Sequence, residues 1–177
     1  MPTAIVIIAP AFALTCMISD LRARRIPGSL SAAGLLGGIA IHCLYFSVAG
    51  LWASLTGLVL TGGVLFLPFA MGGIGGGDVK MMAAVGALMG PLPALAALVI
   101  GMILGGVIMA AHLARLGLLM EKLAATRNLV LAAVGTRSFS PLQLSPHAPE
   151  AVTLPYSIPL GLGTIAVVLS SVTFGAP

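Results

Sequence analysis

The sequence predicts an all-α protein, a polytopic membrane helical bundle of about six transmembrane segments that forms one domain over 1–177. Two observations carry that prediction. Of 177 residues, 59% are hydrophobic and only 7% charged, with a mean hydropathy of +1.18. Soluble domains carry about 25% charged residues, and eight basic plus four acidic side chains cannot solvate a globule of this length. The apolar runs are also long and unbroken, which suits spanning helices rather than barrel strands.

Six apolar segments follow in order. Segment 3–19 has no Lys or Arg ahead of it and no small-residue cleavage site after it, so it reads as a retained anchor, not a signal peptide. Segments 31–49 and 51–71 are divided near Gly50, where Tyr45, Phe46 and Trp52 gather as aromatic rings do at a headgroup layer. The fourth, 79–90, "VKMMAAVGALMG", is short and reads as a partial span or a re-entrant helix. Segments 92–114 and 154–173 complete the set. Small-xxx-small spacings at Gly34/Gly38, Gly86/Gly90 and Gly101/Gly105 are expected to bring helix backbones close together. The stretch 115–153 is expected to lie along the cytoplasmic interface. Its first part, "RLGLLMEKLAATRNLVLAAV", is helix-prone, and its second, "SFSPLQLSPHAPE", is an irregular loop or a mobile lid.

The charges orient these segments. Six crossings place Arg22, Arg24, Arg25, Lys80, Arg115, Lys122, Arg127 and Arg137, all eight basic residues, on one face. By the positive-inside rule that face is cytoplasmic and both termini lie outside. The four acids, Asp20, Asp78, Glu121 and Glu150, fall on the same face. Cys16 and Cys43 lack metal-ligand spacing and read as reduced thiols of the core. His42, His112 and His147 likewise show no ligand spacing and are expected to pack as ordinary polar residues.

The chemistry-bearing stretch is "GGIGGGDVK", residues 72–80, in which five of the first six positions are Gly. It fits neither the phosphate-binding Gly-x-x-x-x-Gly-Lys-Ser/Thr pattern nor Gly-x-Gly-x-x-Gly. Asp78 opens the fourth segment and Asp20 closes the first, both at the membrane edge. Two carboxyls a few ångströms apart cannot both ionise easily, so one keeps a proton near neutral pH. Such a pair suits peptide hydrolysis: the carboxylate takes a proton from water, and the carboxylic acid hydrogen-bonds the carbonyl under attack. Gly75, Gly76 and Gly77 would let a substrate backbone approach. Plainer roles stand beside this one. Asp78 also suits an N-cap of a helix starting at Val79, and Asp20 an ion pair with Arg22, Arg24 or Arg25. Lys80 suits a snorkelling interface anchor.

At these residues the chain resembles the type IV prepilin peptidases. "GGGDVK" at 75–80 matches that family's Gly-x-Gly-Asp motif with its trailing Val-Lys. "SDLRARRIPGSL" at 19–30 resembles its other aspartate segment, and "VTLPYSIPLGLG" at 152–163 its last-span signature. The resemblance implies an intramembrane aspartyl endopeptidase that removes the short basic leader from pilin-like precursors, with Asp20 and Asp78 as the catalytic pair. The family's Ile-Pro-Asn reads Ile-Pro-Gly here, with Gly28 at the Asn position. Large bifunctional members carry a segment with two Cys-x-x-Cys pairs and also N-methylate the product. Nothing between Asp20 and Gly28 could house that segment, so peptidase without methyltransferase activity is expected, as in the short peptidases of tight-adherence (Flp-type) pilus systems.

The expected partners are a prepilin or pseudopilin precursor with a single transmembrane segment and the lipid bilayer of a bacterial inner membrane. No nucleic acid, metal or organic cofactor is implied, and a homo-oligomer stays open. Gly75–Gly77, Lys80, Arg22, Arg24, Arg25 and Pro27 are the candidates for substrate contact, although the arginines suit topology setting better. Competing readings are a small proton-coupled transporter, a non-catalytic pilus or secretion assembly subunit, and an aspartyl intramembrane protease of the presenilin type.

Overall fold

The computed structural model describes residues 2–136, 156–173 and 175, with the side chains of 128–130 and 132–136 excepted. Arg137, His147, Glu150 and the expected loop at 138–153 lie outside the described residues. The described chain is all-helical: α1 Thr3–Ala23, α2 Gly28–Ala70, α3 Gly76–Met89, α4 Pro91–Arg115, α5 Leu119–Thr136 and α6 Ser157–Thr173.

The helix α2, 43 residues long, is two limbs rather than one rod. Gly38 and Ser54 both meet Ala87 of α3, yet in a straight helix they would stand about 24 Å apart along the axis. The chain reverses at Ser47, whose φ of 54° and ψ of −135° break the helical run. The two limbs correspond to the expected segments 31–49 and 51–71, but the turn centres on Ser47, not Gly50. Gly50 instead packs on the backbone carbonyl of His42, where a side chain would collide. Tyr45, Phe46 and Trp52 stand exposed around this tip.

The shortest expected segment proves to be the core. In α3, Met81, Met82 and every residue from Ala84 to Met89 are buried. The helix is enclosed by α1, both limbs of α2, α4 and α6. A helix wrapped by protein does not have to reach across the bilayer if its ends are satisfied internally. At its C-terminal end, Ser54 Oγ donates to the carbonyl of Ala87 at 2.9 Å, and His42 Nε2 lies 3.1 Å from that of Leu88. Thr61 Oγ1 donates to the carbonyl of Met82 at 2.8 Å. Gly57 and Gly86 meet backbone to backbone, so a side chain on either would drive the second limb off α3.

The other small-residue pairs divide by role. Gly34 accepts the ring of Phe12 and Gly38 lies on the backbone of Ala87 and Leu88, while Gly101 and Gly105 seat Leu160 and Pro159 of α6. Gly90 has a second role: its backbone lies against Gly57, and at φ +79° it breaks the chain between α3 and α4. Pro91 and Pro93 then start α4 in its first turn, where a missing N–H costs nothing. One thiol also departs from expectation. Cys16 is in the core, but Cys43 is exposed on α2.

The outer surface is lined by exposed apolar side chains, among them Ile7, Leu14, Leu36, Val59, Ile103 and Val107. Three helices (α1, α2 and α4) have the length and hydropathy to cross a membrane. This is the surface of a membrane protein.

Candidate functional site

The site is built where one end each of α1, α3 and α6 converge, opposite the hairpin tip. Asp20 lies on the last turn of α1, which runs past the expected residue 19 to Ala23. Arg24 ends that helix in the left-handed conformation, its N–H donating to the carbonyl of Asp20 at 2.7 Å. Asp78 lies in the first turn of α3, ahead of the apolar run that begins at Val79. One turn inside the two aspartates, Met17 of α1 fits against Gly161 of α6, and a side chain on that glycine would also meet Met81 of α3 at 3.6 Å. The missing side chain at Gly161 therefore lets three helices close together directly beneath the carboxyls.

Asp78 is buried. Burial is the main cause that lifts its carboxyl from the ordinary 3.8 to about 6, and the nearby charge of Asp20 adds to it. A hydrogen bond from the Gly75 backbone acts in the opposite sense. Helix α3 starts at Gly76 with Gly75 as its N-cap. Asp78 is therefore not the N-cap of a helix beginning at Val79. It occupies the third helical position, where a carboxyl reaches back to the N-cap backbone.

Asp20 is half-buried. Its Oδ2 accepts a hydrogen bond of 2.5 Å from the hydroxyl of Ser157, the fully buried first residue of α6. Among the described residues no ion pair joins Asp20 to Arg22, Arg24 or Arg25, all three of which are exposed. The turn that carries them is held instead by Ser19 Oγ, which donates to the carbonyl of Arg25 at 3.1 Å. The structure thus brings Asp20 and Asp78 together and leaves the arginines, Pro27 and Lys80 on the surface around them.

The glycines have specific neighbours. A side chain at Gly76 would press on the ring of Phe69 at 3.1 Å, one at Gly77 would meet Ile26 at 3.4 Å, and one at Gly75 would lie 3.3 Å from Asp78 Oδ2. The contact of Gly77 with Ile26 seats the α1–α2 turn on the start of α3. Pro27 begins α2 by accepting the N–H groups of Leu30 and Ser31 at 3.1 and 3.2 Å. Gly28, at the Asn position of the resemblance, has nothing within 4 Å of where a side chain would start.

Sequence reasoning did not single out Ser157. Its signal was a hydroxyl directly after Pro155-Tyr156 at the mouth of the last apolar segment, on the face that holds both acids.

A helical membrane bundle that gathers two carboxyls at one end, one of them buried, defines an intramembrane protein of the paired-carboxyl kind. The chain belongs to the type IV leader peptidase family, whose model matches residues 7–110, more than half of the sequence. That match runs from α1 into α4 and includes both aspartates, while α6 lies beyond it. Neither the curated proteins nor the solved structures contain a significant match.

Proposed function

We propose that this protein is an intramembrane aspartyl endopeptidase that removes the basic leader from Flp-type prepilins at the cytoplasmic face of a bacterial inner membrane. The observation that carries this reading is the meeting of Asp20 and Asp78 at the basic end of the bundle, with the Asp78 carboxyl raised to about 6. In its protonated form, which the raised pKa favours, Asp78 donates a hydrogen bond to the scissile carbonyl oxygen. Asp20 takes a proton from the attacking water and returns it to the leaving amine.

The surroundings support the same division of roles. Arg22, Arg24, Arg25, Lys80 and Arg115 gather at the aspartate end, and the aromatic hairpin tip lies at the other. That distribution agrees with a cytoplasmic site and external termini. The exposed arginines and Lys80 would repel a basic leader, so they are assigned to setting topology, and Gly75–Gly77 to flanking the bound chain. The turn between α1 and α2 is residues 24–27, a brevity that supports the reading of peptidase without methyltransferase activity. The transporter reading is weakened because the buried hydroxyls of Ser54, Thr61 and Thr164 donate to helix carbonyls, not to one another.

The test is purified protein in lipid with a full-length Flp-type prepilin and a methyl donor, with the product's new N-terminus read by mass spectrometry. The expected product is a shortened, unmethylated pilin. No cleavage would overturn the substrate assignment, and a methylated terminus would overturn the assignment of peptidase activity alone.

A further inference from the structure

We propose that Ser157 is a positioning residue that fixes the Asp20 carboxyl for proton transfer, so that the active site is completed only by α6; this inference rests on the dyad reading above. Elsewhere among the described residues, most helix hydroxyls donate to backbone carbonyls of their own helix, and those of Ser54 and Thr61 reach carbonyls of α3. Thr164, Ser170 and Thr173 of α6 each donate to a carbonyl three or four residues earlier. Thr15, Thr56 and Thr126 do the same in α1, α2 and α5. Ser157 departs from this pattern. A serine at a helix start ordinarily satisfies its own helix's free N–H groups. Here the hydroxyl donates to a carboxylate 137 residues away in sequence, at 2.5 Å, a length typical of O–H···O⁻ hydrogen bonds.

Two packing features hold Ser157 in place. On one side, α4 offers Gly105 to the ring of Pro159 and to Tyr156, and Gly101 to Leu160. On the other, Gly161 receives the thioether of Met17, one turn from Asp20 on the same helix. Ser157 is therefore locked between a clamp on α4 and the end of α1, and is itself fully buried. Ser19 Oγ and the Arg24 N–H hold the backbone of this turn, but neither engages the Asp20 carboxyl: residues 21–25 are exposed, and no arginine of that turn pairs with Asp20 among the described residues. The Ser157 bond engages Oδ2 and leaves Oδ1 to accept the proton of the attacking water. Without it, the carboxyl would rotate about its own side-chain bonds, and displacements near 1 Å cost about 10²-fold in rate.

The experiment measures steady-state cleavage of a full-length Flp-type prepilin in lipid by the native protein, Ser157→Ala and Ser157→Thr, with Asp20→Asn and Asp78→Asn as controls. Ser157→Ala is expected to lower kcat by about 10- to 100-fold with KM unchanged, and Ser157→Thr, which keeps the donor, to recover most of the loss. Thermal unfolding of each variant is recorded in parallel. An Ala variant that cleaves at the native rate would overturn the proposal. So would equal impairment of the Ala and Thr variants, or an effect confined to KM. If both Asp→Asn controls still cleave, the dyad reading fails, and this inference falls with it. If the controls are inactive and Ser157→Ala is fully active, only the role of Ser157 fails.

Discussion

The two ends of α3 obey different rules. At the C-terminal end every feature serves packing: Gly57 and Gly86 meet backbone to backbone, and Ser54 and His42 attend to the carbonyls of Ala87 and Leu88. At the N-terminal end the same helix buries a carboxyl that takes a hydrogen bond from the Gly75 backbone, beside a second acid that raises its pKa. The first end is what a stable bundle requires. The second costs stability, and a group kept at such a cost is a sign of function.

This comparison can be broken at either end. The largest change in stability should come from Gly57→Leu or Gly86→Leu, since the new side chain meets backbone that cannot yield. The expected loss exceeds about 3 kcal/mol and should show as failure of the protein to accumulate in the membrane. At the aspartate end the expected effect reverses. Because the folded pKa of Asp78 lies above its ordinary value, the folded state holds the proton more tightly than the unfolded one. Stability is then greatest below about pH 4 and declines as pH rises towards about 6. A shift of about two units corresponds to an order of 2–3 kcal/mol. Thermal unfolding across that window should show the decline in the native chain, and Asp78→Asn should flatten it.

Smaller effects refine the picture. Thr61→Val removes one hydrogen bond to the Met82 carbonyl and should lower stability by about 1 kcal/mol. Ser47→Gly places the residue suited to positive φ at the hairpin reversal and should raise stability by up to about 1 kcal/mol. A destabilised Ser47→Gly variant would mean that the two limbs do not turn there.

Much of this arrangement was legible in the sequence. The apolar segments were set by composition and length, and both acids stood out because so few charges exist to explain. The gathering of Arg22, Arg24, Arg25, Lys80 and Arg115 at one end agrees with the count of crossings. What was not legible depended on partners distant in sequence. Nothing local to 79–90 says that it forms the buried centre; its enclosure depends on Gly38 and Gly57, residues of two other segments. Gly90 shares the spacing of a packing glycine and differs only in its backbone angle. Cys43 lies in an apolar run like Cys16, and only the rotation of its helix turns it outward. Ser157 gains its meaning from Asp20, far off in the chain.

The measurement that tests the central claim most directly is prepilin cleavage by purified Asp20→Asn and Asp78→Asn variants in lipid, with thermal unfolding followed in the same samples. If the two ends of α3 divide structure from chemistry as described, each variant loses at least about 10²-fold in rate while its folded state is as stable as the native one, or more so. Native-rate cleavage by either variant would contradict the dyad, and loss of the fold on replacing Asp78 would place that carboxyl among the packing residues.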